Sequence, residues 1–151
     1  MIRIEMGSVA VMQEEGQTLL DEHYQELTLN KDVVKLDVDW PRYQRLEKLG
    51  SLVCFVARLN GVLIGYSVFI YSFHMHYKTC KMASNDVLFL KKEYRTKSSA
   101  GLKLLRFAEE YLKNIGVTKI LYHVKKSNNF NPILERMGFA HEEYIMGKIL
   151  R

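Results

Sequence analysis

The chain has 151 residues, 48% of them hydrophobic, enough for one well-buried core, and no second domain is needed: residues 1–151 read as a single domain. Its net charge of +5 is spread along the chain and not gathered in a tail, so charge alone assigns no nucleic-acid partner. Two cysteines, Cys54 in an apolar run and Cys80 in a polar one, form neither a framework nor a C-x-x-C pair, which excludes a disulfide scaffold and fits reduced thiols.

Residues 1–6 alternate and predict an edge strand. Over residues 9–29 the pattern turns helical, with Val9, Met12, Gly16, Leu19, Leu20, His23 and Leu27 on one face and Glu14, Glu15, Asp21, Glu22 and Glu26 elsewhere. Asp37-Val38-Asp39-Trp40-Pro41 reads as a cap that starts a short helix running to Lys48 and closed by Gly50. Residues 52–59 and 62–71 are rich in Val, Ile, Phe and Tyr, and Asn60-Gly61 between them predicts a hairpin. The longest apolar stretch, residues 62–73, is too short to cross a bilayer, and Arg3 and Glu5 do not suit a signal peptide. The expectation is a soluble cytoplasmic protein with no membrane role.

A polar interval with His74, His76, Tyr77, Lys78 and Lys81 leads into a third antiparallel strand at residues 85–91. His74 and His76 lie two apart, as a metal pair would. The further ligands a zinc ion needs could come from Cys80, Asp86 or His23 only in an unordered way, so no metal is assigned. His76 and Tyr77 are better read as pocket lining.

Residues 85–105 join an apolar strand to a helix through Arg95-Thr96-Lys97-Ser98-Ser99-Ala100-Gly101, a loop of mostly small side chains. From Gly101 onward Leu104, Leu105, Ala108, Tyr111, Leu112 and Ile115 recur at helical spacing. The loop backbone can be approached closely, and its N–H groups together with the helix dipole describe a phosphate cradle. An ordinary N-cap and turn is the alternative reading of the same residues. No G-x-x-x-x-G-K-[ST] and no G-x-G-x-x-G is present, which argues against a nucleotide triphosphatase or a dinucleotide enzyme. Lys91-Lys92, Arg95 with Lys97, and Lys125-Lys126 flank the loop and suit a polyanionic ligand.

Gly116 ends the helix, and residues 118–125 predict a strand parallel to the preceding one. Pro132 opens a short helix over residues 133–137, ended by Gly138, and residues 139–150 predict a last strand. The sum is an α/β fold, a mixed and mostly antiparallel sheet with a central parallel pair and helices on both faces.

At this point the chain resembles the GNAT N-acetyltransferases over essentially its whole length. VLFLKKEYRTKSSAGLKLLRFAEEYL resembles that family's acetyl-CoA signature, and NNFNPILERMGF resembles the short helix ending in Gly-Phe before its final strand. His23-Tyr24, Leu36-Asp37, His76-Tyr77, Asp86 and His123-Val124-Lys125 resemble a small phage-encoded subgroup. The loop departs from the family pattern: the frame fits with Thr96 opening it, Ser99 for the first glycine and Gly101 for the second, which leaves Arg95 one residue early. Leu134 stands where many members carry a tyrosine that protonates the leaving thiolate, and Asn128 stands for the asparagine that follows the fifth strand, shifted by one.

The resemblance implies transfer of an acetyl group from acetyl-CoA to a primary amine, on a small molecule or a protein, by direct attack in a ternary complex. The backbone of Leu88, Phe89 and Leu90 would pair with the pantetheine arm, and an N–H of Leu88 or Phe89 would face the thioester oxygen. Residues from Arg95 and Thr96 through Lys97, Ser98, Ser99, Ala100 and Gly101 to Leu102, with Asn128, would hold the cofactor. An amine is mostly protonated at neutral pH, so a base is needed. Asp86, beginning its strand and sharing a face with Leu88 and Leu90, is the first candidate, with a strand cap as its alternative role. His123 is the second, with a buried, hydrogen-bonded histidine as its alternative. His23, Tyr24, Trp40, Tyr43 and His76 would shape the acceptor pocket. Three readings stay open beside this one: a GNAT-fold protein that binds acyl-CoA, or nothing, as a regulatory partner; action on an aminoacyl-tRNA or a modified base; and a homodimer paired through the final strand.

Overall fold

The computed structural model describes residues 1–96 and 98–151. Its sheet is built on two apolar runs, β2 (Leu52–Leu59) and β3 (Val62–Phe73), paired antiparallel. Asn60 and Gly61 turn the chain between them at φ of 50° and 85°, a conformation that few residue types other than Asn and Gly accept. Residues 52–57 and 63–69 are buried because helices cover both faces, which is why these strands read as near-continuous apolar runs and not as alternations.

β1 (Ile2–Met6) pairs antiparallel with β2, and β4 (Lys81–Leu90) antiparallel with β3. The crossover helix α4 (Ala100–Asn114) then returns the chain as β5 (Lys119–Leu121), parallel to β4, so the order is β1-β2-β3-β4-β5. One face carries α1 (Val9–Glu15), α2 (Gln17–Leu27) and α3 (Trp40–Lys48), whose Val9, Met12, Leu19 and Leu20 pack on Cys54, Tyr66, Val68 and Phe89. On the other face Leu104, Ala108 and Leu112 of α4 pack on Val53, Phe55, Phe69 and Ala83. Each fully buried leucine there contributes about 1.5–3 kcal/mol. α5 (Asn131–Arg136) follows β5 and buries Leu134. Among the described residues no helix is long and apolar enough to cross a membrane.

Four expectations change. The single helix over residues 9–29 is two, because Gly16, with φ −91° and ψ −5°, is at once the C-cap of α1 and the N-cap of α2. Gly16 is buried, and a Cβ there would lie 2.4 Å from the Met12 oxygen, so the break requires glycine. β4 starts at Lys81, well before residue 85, since Lys81, Met82, Ala83 and Ser84 pair with Phe73, Ser72, Tyr71 and Ile70 of β3. β5 stops at Leu121 and not at residue 125, because after Ser84 pairs with Leu121 the two parallel strands separate. Residues 139–151 form no strand: Tyr144, Ile145, Met146 and Leu150 are exposed and the segment has no ladder partner, so the parallel pair stands at the edge of the sheet.

Candidate active site

Where β5 leaves β4, the side chain of Asn85 takes the place of the next ladder bond, its Oδ1 accepting the His123 N–H at 2.6 Å. Beyond it, among the described residues, the Asp86–Leu90 edge of β4 has no strand beside it, the opening that an added strand-like ligand would need. A bulge also falls here. Phe69 pairs with Asn85 and Val68 with Val87, so Asp86 is an extra residue. The extra residue puts Asp86 and Val87 together on the α1–α3 side, while Leu88 and Leu90 pack toward α4. This corrects the expectation that Asp86 shares a face with Leu88 and Leu90: strict alternation holds only without a bulge.

Asp86 thereby lines a cavity of about 380 Å³ between the sheet and the helices α1–α3. His23, Tyr24, Trp40 and Tyr43 line it, as do Asp37, Asp39 and Lys125. Asp39 caps α3 by accepting the Arg42 N–H at 3.0 Å, which fixes Trp40 and Tyr43 on its first turn. The Tyr43 hydroxyl donates to Asp86 Oδ2. Burial first, and the Asp86 hydrogen bond second, raise the Tyr43 pKa well above the phenol range, so Tyr43 keeps its proton and Asp86 is the acceptor. Tyr24 uses its hydroxyl to hold the loop after α2, donating to the Val34 carbonyl at 2.8 Å.

His23 shares a hydrogen bond of 2.6 Å between Nδ1 and the Tyr66 hydroxyl and stacks on Phe89 with ring centroids 5.1 Å apart. Burial, then the positive charge of Lys125, pushes its pKa down to about 4, so the imidazole is neutral at pH 7. Tyr66, fully buried, has its pKa raised chiefly by that burial. Sequence reasoning missed Tyr66. Its run reads as packing, and only the approach of α2 gives its hydroxyl a partner.

The loop between β4 and α4 is held from both sides. Arg95 donates from Nε to the Leu90 carbonyl at 2.7 Å and from Nη1 and Nη2 to the Glu26 carboxylate at 2.5 and 2.7 Å. Ser98 Oγ donates to the Tyr94 carbonyl at 2.6 Å and accepts the Ala100 N–H at 3.3 Å. Ser99 is the N-cap, its carbonyl accepting from Lys103, and Ala100 is buried against Ile64 and Leu90. The amides of Gly101 and Leu102 belong to the first turn, which has no intrahelical acceptors for them. Among the described residues a Cβ on Gly101 would meet only Leu90 Cδ2, at 3.7 Å, so their packing does not demand glycine there and leaves space over the turn. Thr96 is exposed beside it, and Lys97 lies outside the described residues.

The remaining candidates are dispersed. His123 is exposed and lines neither this cavity nor the neighbouring one, which corrects its reading as a buried histidine: β5 has already turned away. Asn128 closes a turn through its N–H to the Lys125 carbonyl. His76 is exposed at the β3–β4 connection, its N–H donated to His74 Nδ1, whereas Tyr77 lines a second cavity that also reaches Asp86. Among the described residues no group of three or more His, Cys, Asp or Glu side chains could hold a metal ion.

A five-stranded mixed sheet whose parallel pair splays beside a loop and a helix N-terminus defines the class, an α/β acetyltransferase fold. The model of the acetyltransferase (GNAT) family matches residues 17–139, and the chain belongs to that family. Solved structures agree on the fold. A ribosomal-protein-alanine N-acetyltransferase from Brucella melitensis biovar Abortus is 15% identical with a TM-score of 0.72, covering 99% of this chain and 98% of its own. Glucosamine-6-phosphate N-acetyltransferase from Arabidopsis thaliana is 15% identical with a TM-score of 0.74, covering 100% and 99%. A predicted acetyltransferase with acetyl-CoA from Clostridium acetobutylicum is 15% identical with a TM-score of 0.71, covering 99% and 96%. No curated protein sequence matches this chain.

Proposed function

We propose that this acetyltransferase moves an acetyl group from acetyl-CoA to a primary amine held in the cavity beside Asp86. The observation that carries the proposal is the bulge, which turns the Asp86 carboxylate out of the sheet and into that cavity at the point where β4 and β5 part. The residues present fit the cofactor: an open β4 edge for the pantetheine arm, and first-turn amides beneath an unobstructed Gly101 for the pyrophosphate. Arg95 is committed to Glu26, so the loop's own backbone and its helix dipole meet the phosphate charge. When bound, acetyl-CoA supplies an activated thioester.

The chain's own residues do the rest. Asp86 keeps one carboxylate oxygen against the Tyr43 hydroxyl and offers the other to the incoming ammonium, pairing with it and then accepting its proton. Tyr43 orients that carboxylate and does not compete for the proton, because its own pKa is raised. Trp40, Tyr24 and the neutral His23 wall the amine off from bulk water. A backbone N–H of Leu88 or Phe89, on the open edge, donates to the carbonyl oxygen as charge builds there. Leu134, buried and hydrocarbon, offers no proton, so the thiolate takes one from water.

The test is calorimetry with acetyl-CoA followed by thiol release in the presence of primary amines. Asp86→Asn is expected to bind acetyl-CoA as the wild type does while turnover falls on the order of 10²–10⁴-fold. Unchanged turnover in that variant would remove Asp86 as the base. No binding by the wild type would sink the whole reading.

A further inference from the structure

The hydrogen bond between His23 and Tyr66 sets more than the charge of the imidazole. Tyr66 is fully buried and keeps its proton, and among the described residues its hydroxyl has one hydrogen-bond partner, His23 Nδ1 at 2.6 Å. A neutral imidazole carries a single proton, on Nδ1 or on Nε2. With the proton on Nδ1, that nitrogen would donate to the hydroxyl, and the phenol's own proton would be stranded in a buried site without an acceptor. With the proton on Nε2, the hydroxyl donates to Nδ1 and both groups are satisfied. Tyr66 therefore fixes the tautomer, and Nε2 carries the N–H.

That N–H has no protein partner among the described residues. The unpartnered polar side-chain atoms sealed inside the described structure are Ser67 Oγ and Tyr122 Oη, so Nε2 is reachable, and the space that His23 borders is the cavity of about 380 Å³ that Asp86 also lines. The ring is held in place, stacked 10° from parallel on Phe89. Phe89 in turn carries the Arg95 guanidinium 5.2 Å from its centroid, and Glu26, one turn along α2 from His23, clamps that guanidinium. Lys125 lines the same cavity, and its positive charge acts on His23. The His23 side of the cavity is thus donating and positive, while Asp86 supplies a negative charge for an ammonium. A plain alkylamine would pair with Asp86 but cover the Nε2–H with hydrocarbon, leaving a desolvated donor unpaired. An amine that also carries an oxygen acceptor satisfies both groups.

We propose that His23 is a specificity residue whose Nε2–H donates to the acceptor, and that the acceptor is a primary amine with a hydrogen-bond-accepting oxygen, carbonyl or ether, near its amino group. Tyr66 is the positioning residue that fixes this tautomer. The proposal rests on the acetyl-transfer reading above. His23 keeps its proton throughout the reaction, and the proton of the amine goes to Asp86 as before.

The first measurement needs no substrate. Long-range proton–nitrogen NMR of isotope-labelled wild type near neutral pH is expected to place the His23 proton on Nε2, and Tyr66→Phe to release it into a mixture of tautomers. A proton on Nδ1 in the wild type overturns the proposal, and an unchanged tautomer in Tyr66→Phe overturns the positioning role. The second measurement compares thiol release from acetyl-CoA with butylamine and 2-methoxyethylamine, a pair of one shape in which oxygen replaces a methylene. Pentylamine and 3-methoxypropylamine form a second pair, with the oxygen one carbon further from the amine. The kcat/KM ratio of ether to alkylamine is read in the wild type against the double variant His23→Phe/Tyr66→Phe, which replaces both polar partners by hydrocarbon rings so that neither is left unpaired. Dividing the two ratios cancels the difference in basicity between the amines. For at least one pair the wild-type ratio is expected to exceed that of the variant by about ten-fold. Equal ratios for both pairs overturn the proposal and leave the acetyl-transfer reading standing. If no amine of the series releases thiol, the acetyl-transfer reading falls and the acceptor class with it, while the spectra of the intact wild type still decide the tautomer.

Discussion

Acidification is expected to destabilise the fold through His23. An ordinary histidine takes its proton near 6.5, while His23, half-buried against Tyr66 and Phe89, takes it only at about 4. Between those values the unfolded chain binds a proton that the folded chain refuses. Stability is therefore complete above 6.5 and is lost as pH falls toward about 4. At about 1.4 kcal/mol per pH unit, the gap corresponds to on the order of 3 kcal/mol, a large share of a small domain's total stability. Carboxylates titrate in the same range, so the wild type must be read against His23→Gln, which retains a polar group beside Tyr66 but has no proton to gain. Urea unfolding of both proteins at several pH values from about 7 to about 4 measures the difference. The variant is expected to start less stable and to lose less, so that the two stabilities converge in acid. A constant difference across the range would refute the reasoning, because His23 would then be free to protonate in the fold.

The other predictions concern the loop and the core. Gly101→Glu fills the space over the first turn of α4 with a negative side chain and should abolish acetyl-CoA binding in calorimetry while the thermal midpoint stays close to wild type. Glu26→Gln removes the carboxylate that holds Arg95, costing about 1 kcal/mol in urea unfolding and weakening acetyl-CoA binding more than amine binding. Equal loss at both sites would show that the ion pair only tethers α2. Leu112→Ala, on the fully buried stripe of α4, should cost about 2–5 kcal/mol in the same unfolding assay.

The parts of this protein that follow from short-range rules were legible in the sequence. Asn60-Gly61 dictates its hairpin because positive φ is accessible to those residues, and Asp39 with Pro41 marks the start of α3 for similarly local reasons. The stripe Leu104, Ala108, Leu112 announces α4 and the face it buries, and with it the strand-helix-strand unit that makes β4 and β5 parallel. The motif around residues 85–105 carried enough of the family's signature to place the chain, and the family match agrees.

Other features depend on what arrives from elsewhere in the chain. Gly16 breaks a helix whose apolar pattern runs on without interruption, because α1 and α2 must each lie against the sheet. The final segment reads as a last strand in the sequence, yet hydrogen-bonded pairing needs a neighbour that its own residues cannot supply. Tyr66 has a hydrogen-bond partner for its hydroxyl only because α2 brings His23 to it. The facing of Asp86 was decided by one extra residue opposite Val68 and Phe69. A bulge is a property of two strands in register, so the sequence of β4 alone placed the carboxylate in the right strand and on the wrong side.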